Sequence, residues 1–147
     1  MNIAAMNILE AYTHPHWPDL TPVMQAPPVV QIHLLAALGA FAVATWQIAG
    51  PKGTVPHRVL GWTWVIFMFV VAVSSFFIRD IFRGWFSPIH ILSVLALIAL
   101  PQLVLAARRK DVKAHAKHAR GLYIGALVVA GVFTFLPGRL MWQVVFD

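Results

Sequence analysis

The sequence predicts an all-α integral membrane protein, an up-down-up-down four-helix bundle with an extracytoplasmic N-terminal tail. Three observations predict it. The 147 residues are 60% hydrophobic and 11% charged, where soluble domains run at roughly 45–50% and about 25%. A chain this short leaves too much of its surface exposed to hide that excess in a water-soluble core. Four stretches, 29–49, 59–78, 89–107 and 121–137, are apolar over about the 20 residues that a bilayer crossing needs, and none contains Asp, Glu, Lys or Arg. Their apolar residues run continuously and do not alternate, which excludes transmembrane strands.

Residues 1–28 form the tail and 29–147 the membrane domain. The tail has no Lys or Arg and no long apolar run, so no signal peptide is expected. Met1 to Tyr12 reads as a short amphipathic helix. His14 to Pro28, with five prolines and Trp17, reads as irregular chain on the outer surface, either a plain tail or a docking segment for a partner. The first span, 29–49, closes at Gly50-Pro51. The second is drawn over about 58–78, with Thr54-Val55-Pro56 as an opening. The third, 88–107, opens at Ser87-Pro88 as N-cap and first-turn proline, and Pro101 falls inside it. The fourth, about 119–137, is the shortest.

Small residues recur where helices approach in lipid: Ala36, Ala40 and Ala44 in the first span, Gly121 and Gly125 with Ala126 and Ala130 in the fourth. Internal packing is the expected use, self-association the alternative. Trp62, Trp64, Trp85, Phe86 and Trp142 gather toward span ends, as an interfacial aromatic belt does.

Orientation follows from the basic residues. Lys52, Arg58, Arg108, Arg109, Lys110, Lys113, Lys117 and Arg120 lie on one side, and only Arg79, Arg83 and Arg139 on the other. The positive-inside rule puts the larger set in the cytoplasm and both termini outside. The net charge of +6 is then a record of topology, not of nucleic-acid binding. Cysteine is absent, which excludes disulfides, thiolate-bound clusters, thioether-attached haem and a cysteine nucleophile.

The seven histidines carry the chemistry. His14 and His16 sit in the tail. His33 lies a turn into the first span and His90 opens the third, both on the outer side. His57 opens the second span and His115 and His118 precede the fourth, on the basic side. In such a bundle the first and third helices are diagonal, as are the second and fourth. His33 then faces His90, and His57 faces His118, with His115 as the alternative. Two opposed imidazoles are the axial set of a six-coordinate haem b, so two haem groups are expected, one near each surface. Gly61 and Gly125 leave room for a macrocycle. Arg58 and Arg120 on one side, and Arg79, Arg83 and Arg139 on the other, suit the propionates. For each histidine taken singly, an interfacial or hydrogen-bonding role is the competing reading.

One string of motifs is distinctive: Lys52-Gly53, His57-Arg58, Gly61-Trp62, Ser74-Ser75, Ser87-Pro88-Ile89-His90, His115-Ala116-Lys117-His118 and Pro137-Gly138-Arg139. It resembles a bacterial family of four-helix predicted membrane proteins of unknown function, over roughly Val29 to Arg139, and implies an inner-membrane location. That family has no settled activity to carry over. More loosely, the histidine layout is similar to that of di-haem membrane cytochromes of the b561 type. Those commonly hang both haems from one pair of helices, whereas here each helix supplies one ligand.

The function expected is a small membrane b-type cytochrome for transmembrane electron transfer, with a quinone or another redox protein as partner. If enzymatic at all, it is an electron-transfer component of an oxidoreductase. No Ser–His–carboxylate set can be assembled within the spans, so a hydrolase is not expected. The alternative is a haem-free structural or accessory subunit, associated with lipid and with other membrane subunits or copies of itself. A small ion-coupled carrier is a third reading.

Overall fold

The computed structural model describes residues 17–78 and 88–146. The expectations for Met1 to Tyr12, His14, His16, Arg79, Arg83, Trp85, Phe86 and Ser87 lie outside the described residues. Among these residues the chain is helical throughout, with no strand. In order come α1 (Thr21–Gln25), α2 (Pro28–Ala49), α3 (Val55–Ser75), α4 (Pro88–Arg108), α5 (Val112–Gly121), a π-helical segment (Leu122–Val129), α6 (Ala130–Phe133) and α7 (Leu140–Val145). Three helices are long and apolar enough to cross a membrane: Pro28–Ala49, Val55–Ser75 and His90–Arg108.

Residues 112–133 form a fourth rod. Gly121, Leu122, Val129 and Ala130, at its internal joints, all keep right-handed helical dihedrals. The rod changes its hydrogen-bond pitch without breaking. It starts well before the expected boundary near 119 because Asp111 caps it, accepting from Ala114 N at 3.0 Å. An aspartate at that position satisfies a first-turn donor that has no helical partner. His115 and His118 therefore lie inside the helix and not ahead of it. The second span is likewise shifted, to 55–75, because the Thr54 hydroxyl accepts from His57 N at 3.3 Å and Pro56 occupies the first turn.

Packing follows chain order. α2 lies on α3, α3 on α4, α4 on α5 and the π-segment, and the π-segment returns to α2. The inner face of α2 is Ala36, Ala40 and Ala44, all buried, while Leu35, Leu38 and Trp46 face outward. This inversion of the water-soluble pattern suits a lipid solvent, where close backbone approach and not apolarity drives contact. Opposite those alanines stand Trp64, Met68 and Ala72 of α3, with Leu100 and Leu103 of α4 and Leu122 and Leu127 of the fourth rod completing the core. Gly39 is required here: a Cβ would come within 2.8 Å of Phe67 Cε2.

The other small-residue set behaves differently. A Cβ on Gly121 or Gly125 would meet nothing within 4 Å, so these two glycines make no close internal contact, whereas Ala126 beside them packs against the core. The aromatic-belt expectation fails for Trp64, which lies on the inward face of α3, and for Trp142, which is buried on α7 with its ring 4.9 Å from Phe146. Trp62 is exposed. The tail is not wholly irregular, since α1 forms within it. Asp19 N bonds Val144 O at 2.9 Å, and Gln31 Nε2 donates to the carbonyls of Val23, Met24 and Ala26. The described part of the tail is thus tied to α7 and to the first turn of α2.

The motif glycines explain themselves at this level. Gly53 of Lys52-Gly53 and Gly138 of Pro137-Gly138-Arg139 have φ of 78° and 79°. Only glycine adopts that region without a steric cost, so both motifs encode turns.

Candidate functional site

At the basic end, the N-terminus of α3 and the fourth rod bring two imidazoles together. His57 is half-buried in the first turn of α3, and Gln47 Nε2 holds its carbonyl at 3.2 Å. His115 stands one turn into α5. Their ring centroids are 6.3 Å apart with planes at 73°. His115 Nδ1 lies 3.2 Å from the Leu103 carbonyl oxygen. A carbonyl only accepts, so His115 carries its proton on Nδ1 and presents a bare Nε2.

His118, three residues on, is turned about 60° around the helix from His115. It lines a cavity of about 230 Å³ between α4 and α5, with Gln102, Leu105, Ala106, Arg109, Asp111 and Ala114. The ring that meets His57 is thus that of His115, and His118 has a different environment. Arg58 donates to Gly53 O at 3.3 Å, and Lys52 caps α2 through the Ile48 and Gly50 carbonyls at 2.6 and 2.8 Å. Both cations stitch the turn. Arg120 is exposed. Gly61 is half-buried, with Gln47 Nε2 as the nearest atom a Cβ would meet, at 3.8 Å.

At the opposite end, His33 and His90 are both drawn to the last turn of α3. His33 Nδ1 lies 2.8 Å from Ser74 Oγ. His90, 4% exposed, packs its ring 5.8 Å from that of Phe76. Between them Ser75 Oγ donates to Ser93 Oγ at 2.6 Å, so adjacent serines of α3 tie to α2 on one side and α4 on the other. Arg139 is half-buried at the start of α7.

Deep in the core between the two ends is Trp64, one helical face below His57. Its indole Nε1 is buried and has no hydrogen-bond partner among the described residues. Leaving such a donor unmade costs about 1–3 kcal/mol, and an acceptor arriving with a ligand would relieve it. Neither the unpaired Trp64 donor nor the Ser74 acceptor is expected as a site residue from the sequence. Trp64 lies seven residues from His57, a helical spacing that puts the two on one face. Ser74 stands with Ser75 at the end of an apolar run, and nothing in that run says which helix either serine meets.

The His57–His115 pair suits a haem in two respects. Two imidazoles across one metal ion, each bonded at about 2.0–2.1 Å, hold their centroids roughly 6 Å apart. A ligating histidine also ordinarily donates its second ring N–H to a carbonyl, carboxylate or water, as His115 does. Room is less generous. Cofactor sites occupy roughly 300 Å³ or more, and the described cavities are about 230 and 40 Å³, with Met68 and Ala40 fully buried between the helices. Among the described residues no three His, Asp or Glu side chains gather to hold a metal ion on their own.

A family model described as predicted membrane protein (DUF2306) matches residues 30–145. No curated protein and no solved structure matches the chain.

Proposed function

Because the chain belongs to this family of predicted membrane proteins, we propose a function set in the bilayer: a four-span b-type cytochrome that carries electrons between the two membrane faces. The fourth rod, 112–133, is the fourth span of an up-down-up-down bundle. The basic end faces the cytoplasm and both termini face outward, in the bacterial inner membrane.

One haem b sits at the basic end on His57 and His115, and a second at the other end on His33 and His90. The group supplies one-electron transfer when bound. The observation that carries the reading is the His57–His115 ring pair, 6.3 Å between centroids, with the far nitrogen of His115 already committed to the Leu103 carbonyl. That bond fixes the ring's tautomer and raises the basicity of Nε2. The Ser74 hydroxyl does the same for His33. Arg120 and Arg139 would meet the propionates at the two rims, and Arg58 is available once it leaves Gly53. Electrons pass to a quinone or to a redox partner subunit.

A second reading has its own support. A Cβ added at Gly121 or Gly125 would meet nothing within 4 Å, and small residues of that kind let another membrane helix approach closely. This favours a haem-free accessory subunit held against a neighbour by the fourth rod.

The test is an oxidised-minus-reduced absorbance spectrum of the detergent-purified protein from haem-replete cells. Sharp bands from bis-imidazole iron are expected. A colourless protein overturns the cytochrome reading and leaves the accessory subunit.

A further inference from the structure

We propose that the cavity between α4 and α5 at the basic end is a binding site for an anionic phospholipid, its phosphate at Arg109 and its ester carbonyls at Gln102 and His118. The inference is independent of the haem reading and gives His118, which does not meet His57, a role of its own.

Three hydrogen-bond donors line this one cavity of about 230 Å³: Gln102, Arg109 and His118. Unlike His33, His115 or Ser74, none of the three has a side-chain hydrogen bond or ion pair among the described residues. The one acid in the lining, Asp111, already has a carboxylate oxygen on Ala114 N. Asp111 makes no ion pair with Arg109 among the described residues, so the donors of Gln102, Arg109 and His118 are open to acceptors that a ligand brings.

The shape says which kind of ligand. Gln102 lies seven residues before Arg109, about 10 Å along the helix axis. Arg109 follows α4 directly, among Arg108, Lys110 and Lys113, a basic cluster suited to the headgroup level. Gln102 belongs to the hydrocarbon-facing part of the same helix, and it is exposed there. A polar amide bared to hydrocarbon is costly unless paired. A free phosphate ion would satisfy the rim and leave Gln102 unmet. A phospholipid brings a phosphate and, one glycerol deeper, ester carbonyls. Leu105, 47% exposed, forms an apolar wall along which an acyl chain can lie. The volume holds the headgroup and glycerol, with the chains outside in the bilayer. Basic pockets between membrane helices recognise anionic headgroups on these terms.

Native mass spectrometry of the full chain in mild detergent tests the site, with phosphatidylglycerol and phosphatidylcholine of identical acyl chains added in titration. Wild type is expected to retain phosphatidylglycerol preferentially. Arg109→Gln should lower its retention about tenfold, the equivalent of one charge-assisted contact, and Arg109→Lys should keep most of it. His118→Ala should lower it several-fold. Lys117→Gln removes a charge from the same helix outside the cavity and should leave retention unchanged. Equal losses in Arg109→Gln and Lys117→Gln mean a diffuse basic surface and overturn the site. So does equal retention of the two lipids. Displacement of phosphatidylglycerol by millimolar inorganic phosphate would assign the cavity to a soluble anion and overturn the lipid. Co-elution of each variant with wild type on size exclusion establishes that it is folded.

Discussion

His33 donates its Nδ1 proton to Ser74, and Ser74 has no proton to return. The serine Oγ lies 2.6 Å from the Val70 carbonyl oxygen and 3.1 Å from that of Val71, so its hydrogen is directed back along its own helix. The imidazole, 2.8 Å away, has to be the donor. This single relay fixes the tautomer of His33 and joins α2 to α3 at the end remote from the basic cluster.

A double-mutant cycle measures that tie. Ser74→Ala leaves a buried N–H without its acceptor, and His33→Ala removes the donor. Polar contacts between membrane helices couple by about 0.6 kcal/mol on average and at most about 1.7. We expect His33–Ser74 near the upper figure, read as unfolding free energy in a denaturing detergent. Additive single mutants would mean that the bond adds nothing.

The haem assignment separates two neighbouring histidines. His57→Ala and His115→Ala should each abolish the same set of reduced bands, and His118→Ala should leave them at full height. His33→Ala or His90→Ala should remove a second set. Loss of bands in His118→Ala with none in His115→Ala would transfer the ligand to the other face of α5. Haem entry must also part the filled core, so holo and apo protein should differ in melting temperature by several degrees. Matching melts would speak against an interior cofactor.

Topology can be read on a natural background, because the chain has no cysteine. Gln25→Cys and Lys113→Cys are both at exposed positions. With the basic end inside, an impermeant maleimide applied to intact cells should label the first and not the second. The reverse pattern would invert the proposed orientation.

Two glycines should respond in opposite ways. Gly39→Leu drives a side chain into the Phe67 ring and should cost about 1–3 kcal/mol, the range for overpacked cores. Gly125→Ala enters open space and should change stability by less than about 0.5 kcal/mol. If Gly125→Ala nevertheless alters native mass in mild detergent, the open face is an association surface, as the accessory-subunit reading requires.

The apolar runs delimit α2 and α4 to within a residue of their observed ends, because in lipid an uninterrupted apolar stretch is nearly the definition of a helix. The start of the fourth rod is harder to read. Val112 to Gly121 holds three basic residues and two histidines, so it is polar by composition, and only the Asp111 cap marks its beginning. That one misplaced boundary decides which histidine meets His57: with His115 inside the helix, its azimuth is fixed, and His118 turns toward α4. The serine relay at the other end is less legible still. Side-chain bonds across helices depend on rotation about each axis, which a run of Val, Ala and Ser does not specify. The aromatic residues mislead for a related reason, since Trp62 and Trp64 are two positions apart yet point to opposite environments.

The π-segment at Leu122–Val129 makes the fourth rod out of phase with itself. Ordinary α-helix repeats every 3.6 residues, whereas hydrogen bonds that reach one residue further widen the turn. A stretch of this kind holds the equivalent of an inserted residue that has been absorbed without a break. The histidine end and the Pro137-Gly138-Arg139 end therefore keep different angular clocks. Deleting one residue between Leu122 and Val129 should restore a uniform α-helix that remains fully helical by circular dichroism. It would also rotate everything beyond it by about 100° relative to His115. Gly121 and Gly125, four apart in sequence, stay close in azimuth because four residues make nearly one turn at either pitch, whereas positions beyond Val129 lose the register with His115 that an unbroken α-helix would give them.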